Sequence, residues 1–62
     1  MTRPLTPQQT EVARLVARDM CNKEIAQTLG LSTETVKTHL AGAFLRLGLR
    51  SRVGLAVWVA RQ

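Results

Sequence analysis

The sequence predicts an all-α fold of four short helices, and three observations carry that expectation. Apolar residues recur at the 3.6-residue helical period and nowhere alternate as strand residues do. Four start signals, at Thr6, Asn22, Ser32 and Ser51, each stand just before an apolar or amphipathic run. The chain has 62 residues and is 45% hydrophobic, yet it has one Phe, one Trp and no Tyr. That composition suits one small core of Leu, Val and Ala rather than stacked layers.

The expected helices cover residues 7–19, 22–29, 33–47 and 52–61 of a single domain over 1–62. The first opens on a T-x-x-Q capping box, Thr6 to Gln9, with Pro7 at the first helical position, where its missing N–H costs nothing. Val12, Leu15, Val16 and Met20 form its apolar face, with Arg14 and Arg18 outside. It fades near Asp19, which opposes the helix dipole but accepts a left-handed turn better than most side chains. Asn22 is read as the cap of the second helix, and Glu24 in its first turn faces the positive end of the dipole.

From Ile25 to Leu47 two helical patterns hinge on one glycine. Ile25 and Leu29 share a face, and Ala26 is small enough for another helix to pass close by. Gly30 can take the left-handed cap conformation, Leu31 can fold back as its apolar contact, and Ser32 can cap the next helix. Val36, Leu40, Ala43, Phe44 and Leu47 then form one apolar stripe, while Lys37, Thr38, Ala41 and Leu45 occupy the opposite face. A plain two-helix hairpin shares this stripe. The small residues of the turn favour a helix-turn-helix, whose second helix enters a DNA groove.

Charge points the same way. The net charge is +5 and the pI is near 11.3. Up to Glu34, Arg3, Arg14, Arg18 and Lys23 are balanced by Glu11, Asp19, Glu24 and Glu34. From Thr35 onward the chain has Lys37, Arg46, Arg50, Arg52 and Arg61 and no acid, so the surplus begins on the helix expected to meet an anionic partner.

Other functions find little in the sequence. No nucleophile, base and acid constellation, phosphate loop or paired carboxylates is visible, so no enzymatic activity and no cofactor are expected. His39 is the one histidine and reads as a partly packed, hydrogen-bonded residue rather than a metal ligand. Cys21, the one cysteine, reads as a buried or half-buried thiol in a reducing, cytoplasmic setting. No apolar run is long enough to span a membrane, and no secretory core follows the N-terminus.

Beyond Leu47, Gly48 closes the third helix, Leu49 tucks into the core and Ser51 caps the fourth. That helix is apolar almost all round. Leu55, Trp58 and Val59 make the bulkier face, suited to the core, while Val53, Ala56, Val57 and Ala60 make a second face that one small domain cannot also cover. The second face is the candidate dimer interface. Gly42 and Gly54 lie inside helices, each at a cost of about 0.5 to 1 kcal/mol against alanine. Gly54→Glu is expected to restore an S-x-x-E box. Gly42→Ala is expected to stabilise the helix but impair DNA binding, by filling a space that lets the helix approach phosphate.

The segments L-T-P-x-x-x-E-V at Leu5 to Val12, N-K-E-I-A at Asn22 to Ala26, L-G-L-S-x-x-T-V-K-T-H-L at Leu29 to Leu40 and L-G-L-R-S-R at Leu47 to Arg52 closely resemble the LuxR-type helix-turn-helix domain. The resemblance covers nearly the whole chain. It implies a bacterial four-helix effector domain that binds double-stranded DNA as a dimer, usually following a response-regulator or signal-binding domain. This chain is then either the effector part of a longer regulator or one of the small standalone members. Expected partners are DNA, a second copy held weakly in isolation, and RNA polymerase.

By this resemblance Lys37 is the foremost base or phosphate contact, with Thr38 and Ala41 beside it in the major groove. Physical chemistry agrees on Lys37, since a lysine early in the helix can donate to guanine O6 and N7 or to phosphate. Thr33 and Thr35, in the first turn, could hold a phosphate. Arg46, Arg50 and Arg52 are candidate contacts to the DNA backbone at the groove edge. The sequence departs from the family pattern in several places. Gln9 replaces a glutamate that usually enters a buried salt bridge, Asp19 a helix-ending glycine, and Gly54 a glutamate. Gly42, Ala43 and Leu45 replace an asparagine, an isoleucine and a basic residue. Two rival readings are a sigma-factor promoter-reading region, which has a similar E-I-A, L-G and T-V-K pattern, and a small helical protein-interaction module whose basic face serves only solubility.

Overall fold

In a computed structural model, which describes residues 4–62, the capping box at Thr6 is formed as read. Residues 1–3, including the Arg3 counted in the charge balance, lie outside the described residues. The Gln9 N–H donates to Thr6 Oγ1 at 3.1 Å, and the Thr6 N–H donates to Gln9 Oε1 at 3.1 Å. Helix α1 follows over Pro7–Ala17, α2 over Asn22–Leu29, α3 over Thr33–Leu47 and α4 over Arg52–Ala60. No strand occurs among the described residues.

Helix α1 is two residues shorter than the pattern suggests. Arg18 is its C-cap and Asp19 turns left-handed at φ 66°, the one non-glycine among the described residues to do so. The Asp19 and Met20 N–H groups reach back to the carbonyls of Val16 and Leu15, closing the helix as a glycine would. Met20 therefore packs on the core from the turn, not from α1. Helix α4 likewise ends one residue early, with Arg61 as its C-cap.

The start of α2 also differs from the expectation. Cys21, not Asn22, holds the N-cap position, and its N–H is accepted by Glu24 Oε1 at 2.9 Å. At that position the Cys21 side chain is exposed, so the expected half-buried thiol is corrected. Asn22 is the first helical residue, and its side chain bonds elsewhere, as described below.

The other two turns follow one rule. Gly30 and Gly48 adopt φ values of 68° and 67°, and the N–H groups of Leu31 and Leu49 return to the carbonyls of Ala26 and Phe44 at 2.9 Å. Leu31 and Leu49 then lie against the core as the apolar contacts of these caps. Ser32 and Ser51 accept the N–H of Thr35 and Gly54, each at 3.1 Å. Such caps typically contribute about 1 kcal/mol apiece.

Helix α1 packs against both α3 and α4, and α2 packs against α3. Val12, Ile25, Val36 and Leu55, one from each helix, are fully buried at the centre. Ala13, Val16, Ala26, Leu40 and Ala43 fill the spaces between them, and Leu5, just ahead of the Thr6 cap, closes the core from outside the helices. Small Ala13, Ala26 and Ala43 allow the close crossings, so a chain this short excludes water from one continuous core. Leu55 is buried, and Trp58 and Val59 pack on the core, as the bulkier face of α4 predicts.

The two interior glycines have different surroundings. A Cβ at Gly42 would lie 2.6 Å from Gln9 Nε2, so this position faces α1 rather than a partner. The expectation that Gly42 makes room for phosphate is corrected: it makes room for the Gln9 amide, whose oxygen is engaged with Thr6. A Cβ at Gly54 would meet Ser51 Oγ at 3.4 Å and Leu49 Cδ2 at 3.7 Å, which is ordinary contact. Among the described residues, no helix is long and apolar enough to cross a membrane, and no group of three His, Cys, Asp or Glu could hold a metal ion.

Candidate nucleic-acid interface

With its stripe of Val36, Leu40 and Ala43 buried, α3 must present its other side to solvent. Lys37, Thr38, Ala41 and Leu45 are all exposed there, and Leu45 is the most exposed large apolar residue described, at 84%. Along this face Lys37, Ala41 and Leu45 lie at successive four-residue steps, so they form one ridge down the helix.

At the N-terminal end of the ridge the polar groups are already partly engaged. Thr35 Oγ1 lies 2.8 Å from Ser32 Oγ, tying this hydroxyl to the cap. Thr38 Oγ1 donates to the Glu34 carbonyl at 3.1 Å, leaving the hydroxyl's lone pairs and its methyl group toward solvent. Thr33 is exposed in the first turn, where helix N–H groups lack intrahelical acceptors. Lys37 Nζ is 3.6 Å from Glu34 Oε1, and both side chains are well exposed. A pair of this kind is worth about 0 to 1 kcal/mol, so an anionic ligand displaces it at little cost.

This is the one ion pair among the described residues. Glu34 itself was not singled out from the sequence as a site residue. Its spacing of three from Lys37 was the available signal.

Beside the ridge lies a shallow concavity of about 360 Å³ between α3 and the α3–α4 turn. Lys37 and Ala41 form one wall, Arg50 and Ser51 the other, and Leu40 and Phe44 line it as well. Lys37 and Arg50, thirteen positions apart in the chain, thus face a common space that no carboxylate lines. Arg46 is exposed in the last turn of α3, but it stands nine residues and so about half a turn round from Lys37. It flanks the ridge and does not line the concavity.

Arg52 borders the same space with its guanidinium directed inward. Nη1 donates to Asn22 Oδ1 at 2.7 Å and Nη2 to the Met20 carbonyl at 2.6 Å. Read from the sequence as a contact to the DNA backbone, Arg52 in the structure joins the start of α4 to the turn between α1 and α2. Asn22, read as a cap, is the other half of that link. Neither partner was legible, because the contacts span 30 and 32 residues. His39 is half-buried on α3.

On α4, Val53 and Val57 are 72% and 46% exposed, Ala60 is exposed and Ala56 half-buried. An apolar face is thus left uncovered on the helix opposite its core contacts.

The family described as bacterial regulatory proteins of the luxR family matches residues 3–59. The chain is 47% identical over 58 residues to a Mycobacterium tuberculosis protein named as an HTH-type transcriptional regulator, covering 94% of this chain and 7% of that protein. It is 38% identical over 58 residues to the nitrate/nitrite response regulator protein NarL of Escherichia coli, covering 94% of this chain and 27% of NarL. To the transcriptional regulatory protein UhpA of Escherichia coli it is 45% identical over 53 residues, 86% of this chain and 27% of UhpA. The chain therefore spans about a quarter or less of the length of these relatives. With four helices joined by three turns, two of them glycine-capped, and a family match over residues 3–59, the chain belongs to the luxR family of bacterial regulatory proteins.

Proposed function

We propose that the chain binds double-stranded DNA in the service of transcription regulation, laying the Lys37–Ala41–Leu45 ridge of α3 in the major groove. The observation that carries this reading is the cationic, acid-free concavity beside that ridge. Lys37 exchanges Glu34 for a guanine edge or a phosphate, and Arg50 holds the adjoining phosphate. Thr33 and Thr35 approach the backbone at the start of α3, Thr38 and Ala41 face base edges, and Arg46 reaches the strand on the far side of the ridge. Arg52 acts by holding the α3–α4 turn in place. Regulation of this kind takes place in the cytoplasm, with RNA polymerase as the machinery affected.

Two copies meet, in this reading, through Val53, Ala56, Val57 and Ala60. The support is the exposure of Val53 and Val57 on a helix whose other side is core. Nine residues extend only about 13 Å, and stable interfaces bury roughly 1,600 Å². Dimers of this chain are therefore weak in isolation and form mainly on DNA. The operator is an inverted repeat with half-sites about one helical turn apart. Cooperative binding to paired half-sites, measured for the unaltered chain and for Val57→Asp, tests the pairing. The variant should lose cooperativity and keep its single-site affinity; retained cooperativity, with the helical circular dichroism signal intact, places the interface elsewhere.

A further inference from the structure

Leu45 is the most exposed large apolar side chain described, and it stands at the end of the ridge formed with Lys37 and Ala41. A lone exposed leucine is ordinary on a protein surface, but Leu45, at 84% exposure, continues the outward ridge one turn past Ala41, so the partner that meets Lys37 and Ala41 also meets Leu45. We infer that Leu45 is a specificity-determining residue that packs on the 5-methyl group of a thymine in the major groove. The inference rests on the proposal that α3 is the groove helix.

The surroundings of Leu45 decide the class of partner. Lys37 lies along the same ridge, Arg46 adjoins Leu45 in sequence, and Arg50 lines the concavity that Lys37 and Ala41 also border. An apolar protein surface covering Leu45 would have to bury those cations without counter-charges, at a cost far above the gain from one leucine. Duplex DNA supplies phosphates for the cations and, in the same groove, a methyl group for the leucine. Thymine is the one ordinary base that presents a methyl there.

Ala41, one turn before Leu45, continues the apolar strip and excludes water from the flank of the contact. Leu45 is about 12 Å along the helix axis from Lys37. The thymine therefore lies no more than three or four base pairs from the position Lys37 addresses.

The test uses this chain and duplexes selected by it from a random pool, with each thymine replaced in turn by deoxyuridine, which lacks only the methyl. For the unaltered chain, one thymine per half-site should weaken binding about fourfold on replacement, as one buried methyl is worth about 0.8 kcal/mol. In Leu45→Ala that ratio should fall to about one, at unchanged helical content. In Leu45→Arg the ratio should also vanish, while the slope of log affinity against log salt steepens by about 0.9 for the added phosphate contact. Indifference of the unaltered chain to every replacement, or a thymine preference that survives Leu45→Ala, overturns the inference. Salt-dependent binding of random duplex, weakened by Lys37→Ala, would still stand in that event, so the failure would fall on Leu45 alone. Absence of salt-dependent binding altogether would remove the groove-helix reading and this inference with it.

Discussion

Replacing Arg52 and Arg50 separately by alanine should separate folding from DNA contact, although both residues border one concavity. Arg52 makes two charge-assisted hydrogen bonds, at 2.7 Å to Asn22 Oδ1 and 2.6 Å to the Met20 carbonyl, both partly buried. Bonds to charged groups contribute roughly 1.5 to 3 kcal/mol each before discounting for partial exposure. Because water can reach the vacated acceptors, a loss of about 2 kcal/mol for the pair is the reasonable figure. For a domain of this size 1 kcal/mol moves Tm by about 4 to 8 °C, so Arg52→Ala should melt some 8 to 16 °C lower. Arg50 is exposed, and Arg50→Ala should leave Tm within about 2 °C while reducing the salt slope of DNA binding by about 0.9. Thermal melts and salt titrations of both variants, with binding measured well below each Tm, provide the comparison. An Arg52→Ala protein of unchanged Tm and reduced salt slope would refute the assignment, since Arg52 would then be contacting DNA rather than Asn22 and Met20.

The two interior glycines should respond oppositely to substitution. Gly54→Glu has room and completes a box with Ser51, so Tm should rise by roughly 4 to 8 °C for about 1 kcal/mol; an unchanged Tm rejects the capping argument. Gly42→Ala should gain little, because about 1 kcal/mol of helix propensity is offset when the Gln9 amide is displaced from Thr6. In a Gln9→Ala background the same change should stabilise by about 1 kcal/mol, whereas strict additivity in the cycle would show that the two residues do not interact. Glu24 gives a pH signature. The Cys21 N–H bond holds its carboxyl below the ordinary value of 4.5, so its contribution to stability is present above that value and lost as pH falls through the lower folded one. The Tm difference between the unaltered chain and Glu24→Gln should therefore shrink below about pH 4.5; a constant difference from pH 6 to 3 contradicts it.

Local signals carried most of the fold. The Thr6 box, the left-handed turns at Gly30 and Gly48 and the caps at Ser32 and Ser51 each depend on residues within five positions, and each is formed as read. What sequence reasoning missed involves long separations or side chains with a choice of partners. Asn22 is a good cap by type, but Arg52 claims it from thirty residues away, leaving Cys21 at the cap with Glu24 supplying the bond. Gly42 looked like an approach to phosphate because helix periodicity does not say which neighbour fills the space; Gln9, on another helix, does. The exposed face of α3 was legible from its apolar complement, whereas the concavity joining Lys37 to Arg50 depends on how the α3–α4 turn folds back.

The central claim is that Lys37 and the exposed ridge of α3 meet DNA, and the salt dependence of affinity measured with and without Lys37 tests it most directly. The unaltered chain should bind duplex DNA with a log–log salt slope of about −0.9 per phosphate neutralised. Lys37→Ala should lower affinity at every salt concentration, reduce the magnitude of that slope by about 0.9 if the lysine holds a phosphate, and relax preference at one base pair by about 1 to 3 kcal/mol if it reads guanine. Equal affinity, slope and sequence preference for the two proteins, both folded, would contradict the claim.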